Sequence, residues 1–225
     1  MASARTMTGW WEARELIRPD AAAALVDAAV RAAGGGPRAA HATLLVEGLA
    51  SRLALAAAGR LLAGEPAPDL DPAAVRVRVG PGGAVEEVEV AGGDVPAGAA
   101  SVAAVREGLA AHLVPLVGEL AAAGERPALN LWRAAGDGIA SAVLRTGCER
   151  GCRRRAEAVA EAVLAPPAPY AVALAAHPDG DDLLRARAGC CLSYRVPPDH
   201  VRCDDCPAGR LRRIAALRHR VERLR

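Results

Sequence analysis

Residues 38–63 read RAAHATLLVEGLASRLALAAAGRLLA, a run rich in alanine and leucine that contains no proline. Leu45, Leu49 and Leu53 recur at every fourth position, which is the spacing of one face of an α-helix. Because alanine and leucine favour helices, we predict one long helix over 38–63 that ends before Pro66. The whole 225-residue chain has the same character, being 52% hydrophobic with no Phe, three Trp and two Tyr. Such a composition favours closely packed helices over an aromatic core.

The remaining helices are predicted from the same periodicity, with glycine or proline near their ends. They cover residues 20–33, 99–123, 129–145 and 150–164, a short stretch over 181–187 and an amphipathic stretch over 209–225. Valines alternate with arginines over 75–79 and with glutamates over 85–90. This alternation predicts a β-hairpin over about 74–91, with arginines opposite glutamates and a bulge at Glu86-Glu87. The fold class is therefore mainly α with a small antiparallel β-hairpin or sheet.

The two halves of the chain differ in charge. Residues 1–125 carry a formal charge of −5 and residues 126–225 carry +7, within a net charge of +2. We divide the chain into a helical region with the hairpin, 1–125, and a helical region that contains all six cysteines, 126–225. One continuous domain is the alternative. The basic half is expected to attract an anionic partner, but not nucleic acid, because aromatic residues that stack on bases are scarce.

No secretory signal or membrane span is expected from the sequence. Residues 1–17 carry charges and lack an apolar core, and the longest uncharged run, 162–178, contains four prolines. We therefore expect a cytoplasmic protein. In a reducing compartment, its six cysteines indicate metal or redox chemistry in preference to structural disulfides.

Four of the six cysteines fall within 17 residues, in a predicted loop over 190–206. Cys190 and Cys191 are adjacent, and Cys203 and Cys206 form a C-x-x-C pair after eleven intervening residues. Thiolates are soft ligands that select zinc or iron–sulfur centres. Zinc ribbons normally use two C-x-x-C pairs, whereas a [2Fe–2S] cluster accepts irregular spacing. The spacing favours an iron–sulfur cluster and leaves zinc, or a loop without metal, as alternatives.

The segment 190–207, CCLSYRVPPDHVRCDDCP, resembles the carboxyl-terminal signature of the FhuF-like ferric-siderophore reductases. The shared features are a Cys-Cys pair, then Leu-x-Tyr-Arg-x-Pro, a loop and a C-x-x-C pair. The resemblance implies that one [2Fe–2S] cluster is held by four signature cysteines, namely Cys190, Cys191, Cys203 and Cys206. The region 1–125 is also similar to the carboxyl-terminal region of siderophore synthetases.

The resemblance implies an oxidoreductase that passes single electrons to a ferric siderophore and reduces Fe(III) to Fe(II) in the cytoplasm. An external ferredoxin or flavoprotein would resupply the electron, because no G-x-G-x-x-G, P-loop or H-E-x-x-H motif is present. Two alternatives remain at this point. One is an iron–sulfur electron carrier or redox sensor with another acceptor, and the other is a zinc-stabilised binding module.

Several other residues carry weaker signals. Cys148 and Cys152, the turn cysteines, are four positions apart, so a helix would place both on one face as a metal or redox pair or as packing residues. His200 is expected to be a solvated loop residue or to tune the cluster. Charged residues flank the predicted ligands and either tune the cluster or face solvent: Arg195, Arg202, Asp204 and Asp205. The other histidines are expected at the surface or in packing: His41, His112, His177 and His219.

The stretch 209–225 ends the sequence with an apolar stripe and a basic face. Residues 208–225 contain seven Arg and one Glu. This face is expected to guide an anionic ferric siderophore or an acidic electron donor, or to be an ordinary solvated helix face.

Overall fold

The computed structural model describes residues 9–80, 83–123, 125–170, 175–176, 183–184 and 190–197. Within these ranges the fold is mainly helical, which confirms the predicted class. The helices, in chain order, are α1 (Ala13–Leu16), α2 (Pro19–Ala32), α3 (Arg38–Ala63), α4 (Ala99–Ala122), α5 (Ala128–Glu149) and α6 (Arg153–Leu164). The predicted helix over 209–225 lies outside the described residues.

Three small antiparallel sheets accompany the helices in the described part of the chain. Their strands are β1 (Gly9–Glu12), β2 (Ala67–Pro68), β3 (Val75–Val79), β4 (Val85–Val90), β5 (Asp94–Val95), β6 (Ala175–Ala176) and β7 (Leu183–Leu184). The first sheet has the order β1-β3-β4, and the others pair β2 with β5 and β6 with β7.

Helix α3 has the predicted bounds, because its sequence specifies both its face and its end. Gly64 follows it at φ +75, a left-handed conformation that glycine adopts without steric cost. The amide of Glu65 donates to the carbonyl of Arg60 at 3.0 Å, and the amide of Gly64 donates to that of Leu61 at 3.2 Å. This pair of hydrogen bonds is a Schellman motif, which satisfies carbonyls that the helix end leaves open.

The core is centred on the contact between α3 and α5, the most extensive pairing of the described elements. The two helices approach closely at Gly138, where a Cβ atom would lie 2.5 Å from the carbonyl oxygen of Glu47. Buried apolar residues from Ala13 to Tyr170 form one cluster. Both the 1–125 and the 126–225 regions therefore contribute to one hydrophobic core, and the proposed division into two regions remains a prediction.

The hairpin prediction is confirmed in detail. In the register of β3 and β4, Arg76 faces Glu89 and Arg78 faces Glu87, with ion pairs at 3.2 and 2.9 Å. The register shifts beside Glu86, which is the predicted bulge. The valines of β3 are buried on the opposite face, as alternation requires.

Two secondary-structure predictions are wrong. The predicted break between the helices over 129–145 and 150–164 lies instead at 150–152. Gly147, the glycine in the predicted break, serves helix packing, since a Cβ atom there would lie 2.1 Å from the Cβ of Ala156 in α6. The stretch 181–187 is not helical at its described residues, since Leu183–Leu184 pairs with Ala175–Ala176 as a strand. Backbone pairing outweighs the weak helical preference of so short a stretch.

Two helices, α3 and α4, are long and apolar enough to cross a membrane by length and composition alone. Each has a window of mean hydropathy 1.3, of which 56% in α3 and 39% in α4 is buried inside the protein. Core helices of soluble proteins meet the same criterion, so this observation is weak support for a membrane span.

Candidate functional site

The structure describes half of the predicted ligand set. Cys190 is partly exposed and Cys191 is buried, with 4% of its surface accessible. Cys203 and Cys206 lie outside the described residues. Within the described part of the chain, no group of three or more His, Cys, Asp or Glu side chains is placed to hold a metal ion. Residues 190–197, which we call the double-cysteine segment, are the described part of the cysteine loop.

The double-cysteine segment turns sharply after its second cysteine. Leu192 has φ +61, an unusual value for a residue with a side chain, and Ser193–Arg195 follow as a 3₁₀ turn. The amide of Ser193 donates to Sγ of Cys191 at 3.5 Å, and the Ser193 hydroxyl oxygen lies 3.0 Å from the same sulfur. The turn thus directs polar groups at the Cys191 sulfur.

One wall of the site is the loop between α2 and α3. Gly36 adopts φ +105, and a Cβ atom on it would lie 3.4 Å from the carbonyl oxygen of Arg195 and from Cδ of Pro197. His41, at the start of α3, is buried and its Nε2 lies 3.1 Å from the carbonyl oxygen of Gly35. Glycine at position 36 therefore permits the double-cysteine segment to pack directly against this loop.

A second contact comes from Arg126, in the connection between α4 and α5. Its guanidinium donates to the carbonyl oxygen of Cys190 at 2.6 Å and to the hydroxyl oxygen of Thr43 in α3 at 2.5 Å. The Thr43 hydroxyl in turn donates to the carbonyl oxygen of Ala39 at 2.6 Å. Arg126 thus links the first cysteine to the amino-terminal part of α3.

The neighbouring acidic residue does not neutralise Arg126. Glu125 has a side chain only 6% exposed and pairs with Arg38, whose Nε donates to both carboxylate oxygens at 2.8 and 2.9 Å. Arg38 also pairs with Asp27 of α2. Among the described residues, no carboxylate forms an ion pair with Arg126, and its guanidinium lies against the backbone of Cys190.

The surroundings of Arg126 have opposing electrostatic effects. Burial lowers the pKa of its guanidinium, whereas negative charge on Cys190 and, secondly, on Cys191 acts in the opposite direction.

A known protein family matches this part of the chain. Residues 187–207 match the FhuF 2Fe-2S C-terminal domain. The match includes all four signature cysteines, and it confirms the FhuF-like signature recognised in the sequence. A match to the FhuF 2Fe-2S domain implies a [2Fe–2S] cluster. No curated protein matches the chain significantly.

The described residues fit such a cluster. Two adjacent thiols supply soft ligands, an amide is directed at one of the sulfurs, and a half-buried cation lies beside them. A [2Fe–2S] cluster with four thiolates carries net negative charge, and hydrogen bonds to its sulfurs are a common feature of such sites. The double-cysteine segment thus supplies, at Cys190 and Cys191, an environment that suits a [2Fe–2S] cluster. The ligand roles of all four signature cysteines stay predictions.

The turn cysteines are arranged differently from the prediction, because α5 ends between them. Gly151, at φ +65, and the hydrogen bonds from Cys152 to Gly147 and from Gly151 to Cys148, at 2.8 and 3.1 Å, form a Schellman motif. The turn cysteines therefore flank a helix end and do not share one helical face. They line an open depression together with three arginines, Arg153, Arg154 and Arg155.

The described histidines are packing residues, as expected. His41 and His112 are both buried, and Nε2 of His112 lies 2.9 Å from the carbonyl oxygen of Leu70. Burial lowers the pKa of His112, while the Leu70 carbonyl and the charge of Asp71 oppose that shift. The other candidates of the cysteine loop lie outside the described residues, apart from Arg195, which is exposed.

Sequence reasoning missed three residues of the site: Gly36, Thr43 and Arg126. Each lies far from the cysteines in the chain, and Arg126 precedes Cys190 by 64 positions. Their residue types carry no distinctive spacing. Only the packing of the helices brings them to the double-cysteine segment.

Proposed function

We propose that the protein is a ferric-siderophore reductase of the cytoplasm, which passes single electrons to siderophore-bound Fe(III). The observation that carries this proposal is the match of residues 187–207 to the FhuF 2Fe-2S C-terminal domain. A [2Fe–2S] cluster, when bound, stores and releases one electron at a time. The partly exposed Cys190 supports access of a large iron complex to the site.

The chemistry requires little of the protein beyond positioning. Siderophore oxygens are hard ligands that hold Fe(III) tightly and Fe(II) weakly, so gain of one electron releases the metal. The electron comes from an external ferredoxin or flavoprotein, which is oxidised by one electron for each Fe(III) reduced. No covalent bond forms and no proton has to be transferred by a side chain.

Charge supports the proposed substrate class. Residues 126–225 carry +7, and Arg126 and Arg195 belong to the site itself. A basic surface raises the local concentration of anionic ferric complexes and speeds their association at low salt. The predicted helix over 209–225, which lies outside the described ranges, would add further arginines to this basic surface.

The test begins with protein purified without oxygen. It should be coloured, with about two irons and two sulfides per chain. After chemical reduction and removal of the reductant, the protein is mixed with a ferric siderophore and a ferrous chelator. We expect reoxidation of the cluster, followed by its visible spectrum, with about one ferrous chelate formed per cluster.

The matched control separates the cluster from the rest of the protein. Cys203→Ser protein, prepared in the same way, should form no ferrous chelate, whereas Cys148→Ser protein should react normally. A colourless protein with one tightly bound zinc would refute the iron–sulfur assignment. A cluster that stays reduced with hydroxamate, catecholate and citrate-type complexes would refute the reductase and leave an electron carrier with another acceptor.

A further inference from the structure

The double-cysteine segment contacts one half-buried cation in the described part of the chain. Arg126 reaches Cys190 from a connection that is distant in sequence, and its guanidinium donates to the Cys190 carbonyl oxygen at 2.6 Å. The second contact, with the hydroxyl oxygen of Thr43, holds the guanidinium against α3. Thr43 is itself 1% exposed, so this anchor is excluded from solvent.

Among the described residues, this positive charge is not cancelled locally. Glu125, its sequence neighbour, is occupied by Arg38, and no described carboxylate pairs with Arg126. A partly buried charge is screened far less by water and salt than a charge at the surface. Its field acts on negative charge at Cys190 and, secondly, at Cys191, the two groups whose charge favours the guanidinium form of Arg126.

Reduction adds one negative charge to a cluster that is already negative. A fixed cation beside two of its ligands stabilises the reduced form more than the oxidised form. We propose that Arg126 is a positioning residue that raises the reduction potential of the [2Fe–2S] cluster held by this segment. The inference rests on the proposed cluster but not on the siderophore as its acceptor.

The central experiment measures the midpoint potential of the cluster by anaerobic redox titration, followed in the visible spectrum. Arg126→Gln removes the charge and keeps a hydrogen-bond donor. We expect the equilibrium constant for reduction of the cluster to fall about tenfold, which lowers the midpoint potential by about 59 mV for one electron. Arg126→Lys keeps the charge, and its potential should lie close to that of the native protein.

The chain offers a matched control at the other end of α5. Arg150 also donates to a backbone carbonyl, that of Gly59, at 3.0 Å. It is separated from Arg126 by the 22 residues of α5, which span about 33 Å. Arg150→Gln should therefore leave the potential unchanged.

A second pair of variants keeps Arg126 in place, in case the glutamine variant does not retain its cluster. Thr43→Asp puts a carboxylate beside the guanidinium and neutralises it, so the potential should fall. Thr43→Val removes the same hydrogen bond without adding charge, so the potential should stay near the native value.

The outcomes separate this inference from the proposed function. If Arg126→Gln and Thr43→Asp both keep the native potential, the inference is wrong even if the protein still reduces siderophores. If the lysine variant falls as far as the glutamine variant, hydrogen bonding and not charge sets the potential, which also overturns it. If native protein holds no iron–sulfur cluster, the proposed function fails first, and the inference fails with it.

Discussion

Replacing Gly36 with alanine should weaken the hold of the protein on its cluster. The backbone there has φ +105, and the new Cβ would lie 3.1 Å from Nε2 of His41 and 3.4 Å from the carbonyl oxygen of Arg195. Backbone strain at such a position costs about 1–3 kcal/mol. The crowding adds about 1–1.5 kcal/mol, the lower end for overpacked sites, because small shifts relieve it. Because about 1.4 kcal/mol corresponds to a tenfold change, the crowding alone should make loss of the cluster up to about ten times faster.

The control is the adjacent residue, which shares the strain but not the contact. Gly35 has φ +127, and a Cβ atom on it meets nothing within 4 Å. Gly35→Ala should therefore lower the midpoint of thermal unfolding without selectively releasing the cluster. The assay follows the visible absorbance of each oxygen-free protein in excess iron chelator at a fixed temperature. Equal rates of bleaching for the two alanine variants would refute the packing of residues 195–197 on Gly36.

Three further predictions concern the ligands and the fold. Serine in place of any one signature cysteine should lower the iron content measured after purification, whereas serine at either turn cysteine should not; the opposite pattern would contradict the ligand assignment. Gly138→Ala should lower the free energy of unfolding by about 2–3 kcal/mol, because its Cβ would meet the Glu47 carbonyl at 2.5 Å. At Gly118 in α4 a Cβ atom would meet nothing within 4 Å, so Gly118→Ala should raise the free energy of unfolding by about 0.5–1 kcal/mol. Denaturant titrations measure both variants, and a ranking in the reverse order would argue against the close approach of α3 and α5. Tyr170→Phe should cost about 1 kcal/mol by removing the hydrogen bond from its hydroxyl to the Arg106 carbonyl. Burial raises the pKa of Tyr170 to about 12, so the native phenol stabilises the fold fully below about pH 10 and loses this effect as the pH rises through about 12; identical alkaline unfolding of the native and Phe proteins would contradict that role.

The sequence predicts those parts of the fold that depend on local pattern. The bounds of α3 follow from its leucine spacing and from the glycine that ends it. The hairpin follows from alternating valines, because a strand with one buried face repeats every second residue. The bulge is also predicted, because two consecutive glutamates interrupt the alternation of valine and glutamate in β4.

The parts that depend on distant contacts are not visible in the sequence. Strand β1 is four residues long and is specified by its pairing with β3 and by the packing of Trp10 over Arg76, 5.3 Å from the ring centroid. Glycine often ends a helix, yet Gly147 lies inside α5 because the near approach of α6 leaves no room for a side chain there. Arg126 looks like any other arginine until the chain has folded.

The recruitment of Gly36, Thr43 and Arg126 to the double-cysteine segment has a consequence for biosynthesis. Arg126 leaves the ribosome 64 residues ahead of Cys190, a lead of about 3–13 s at ordinary rates of translation. Helices pack far faster than that, so the surface that receives the cysteines forms before the cysteines themselves are made. Assembly factors that deliver iron and sulfide would therefore meet a folded acceptor surface and not an unfolded chain.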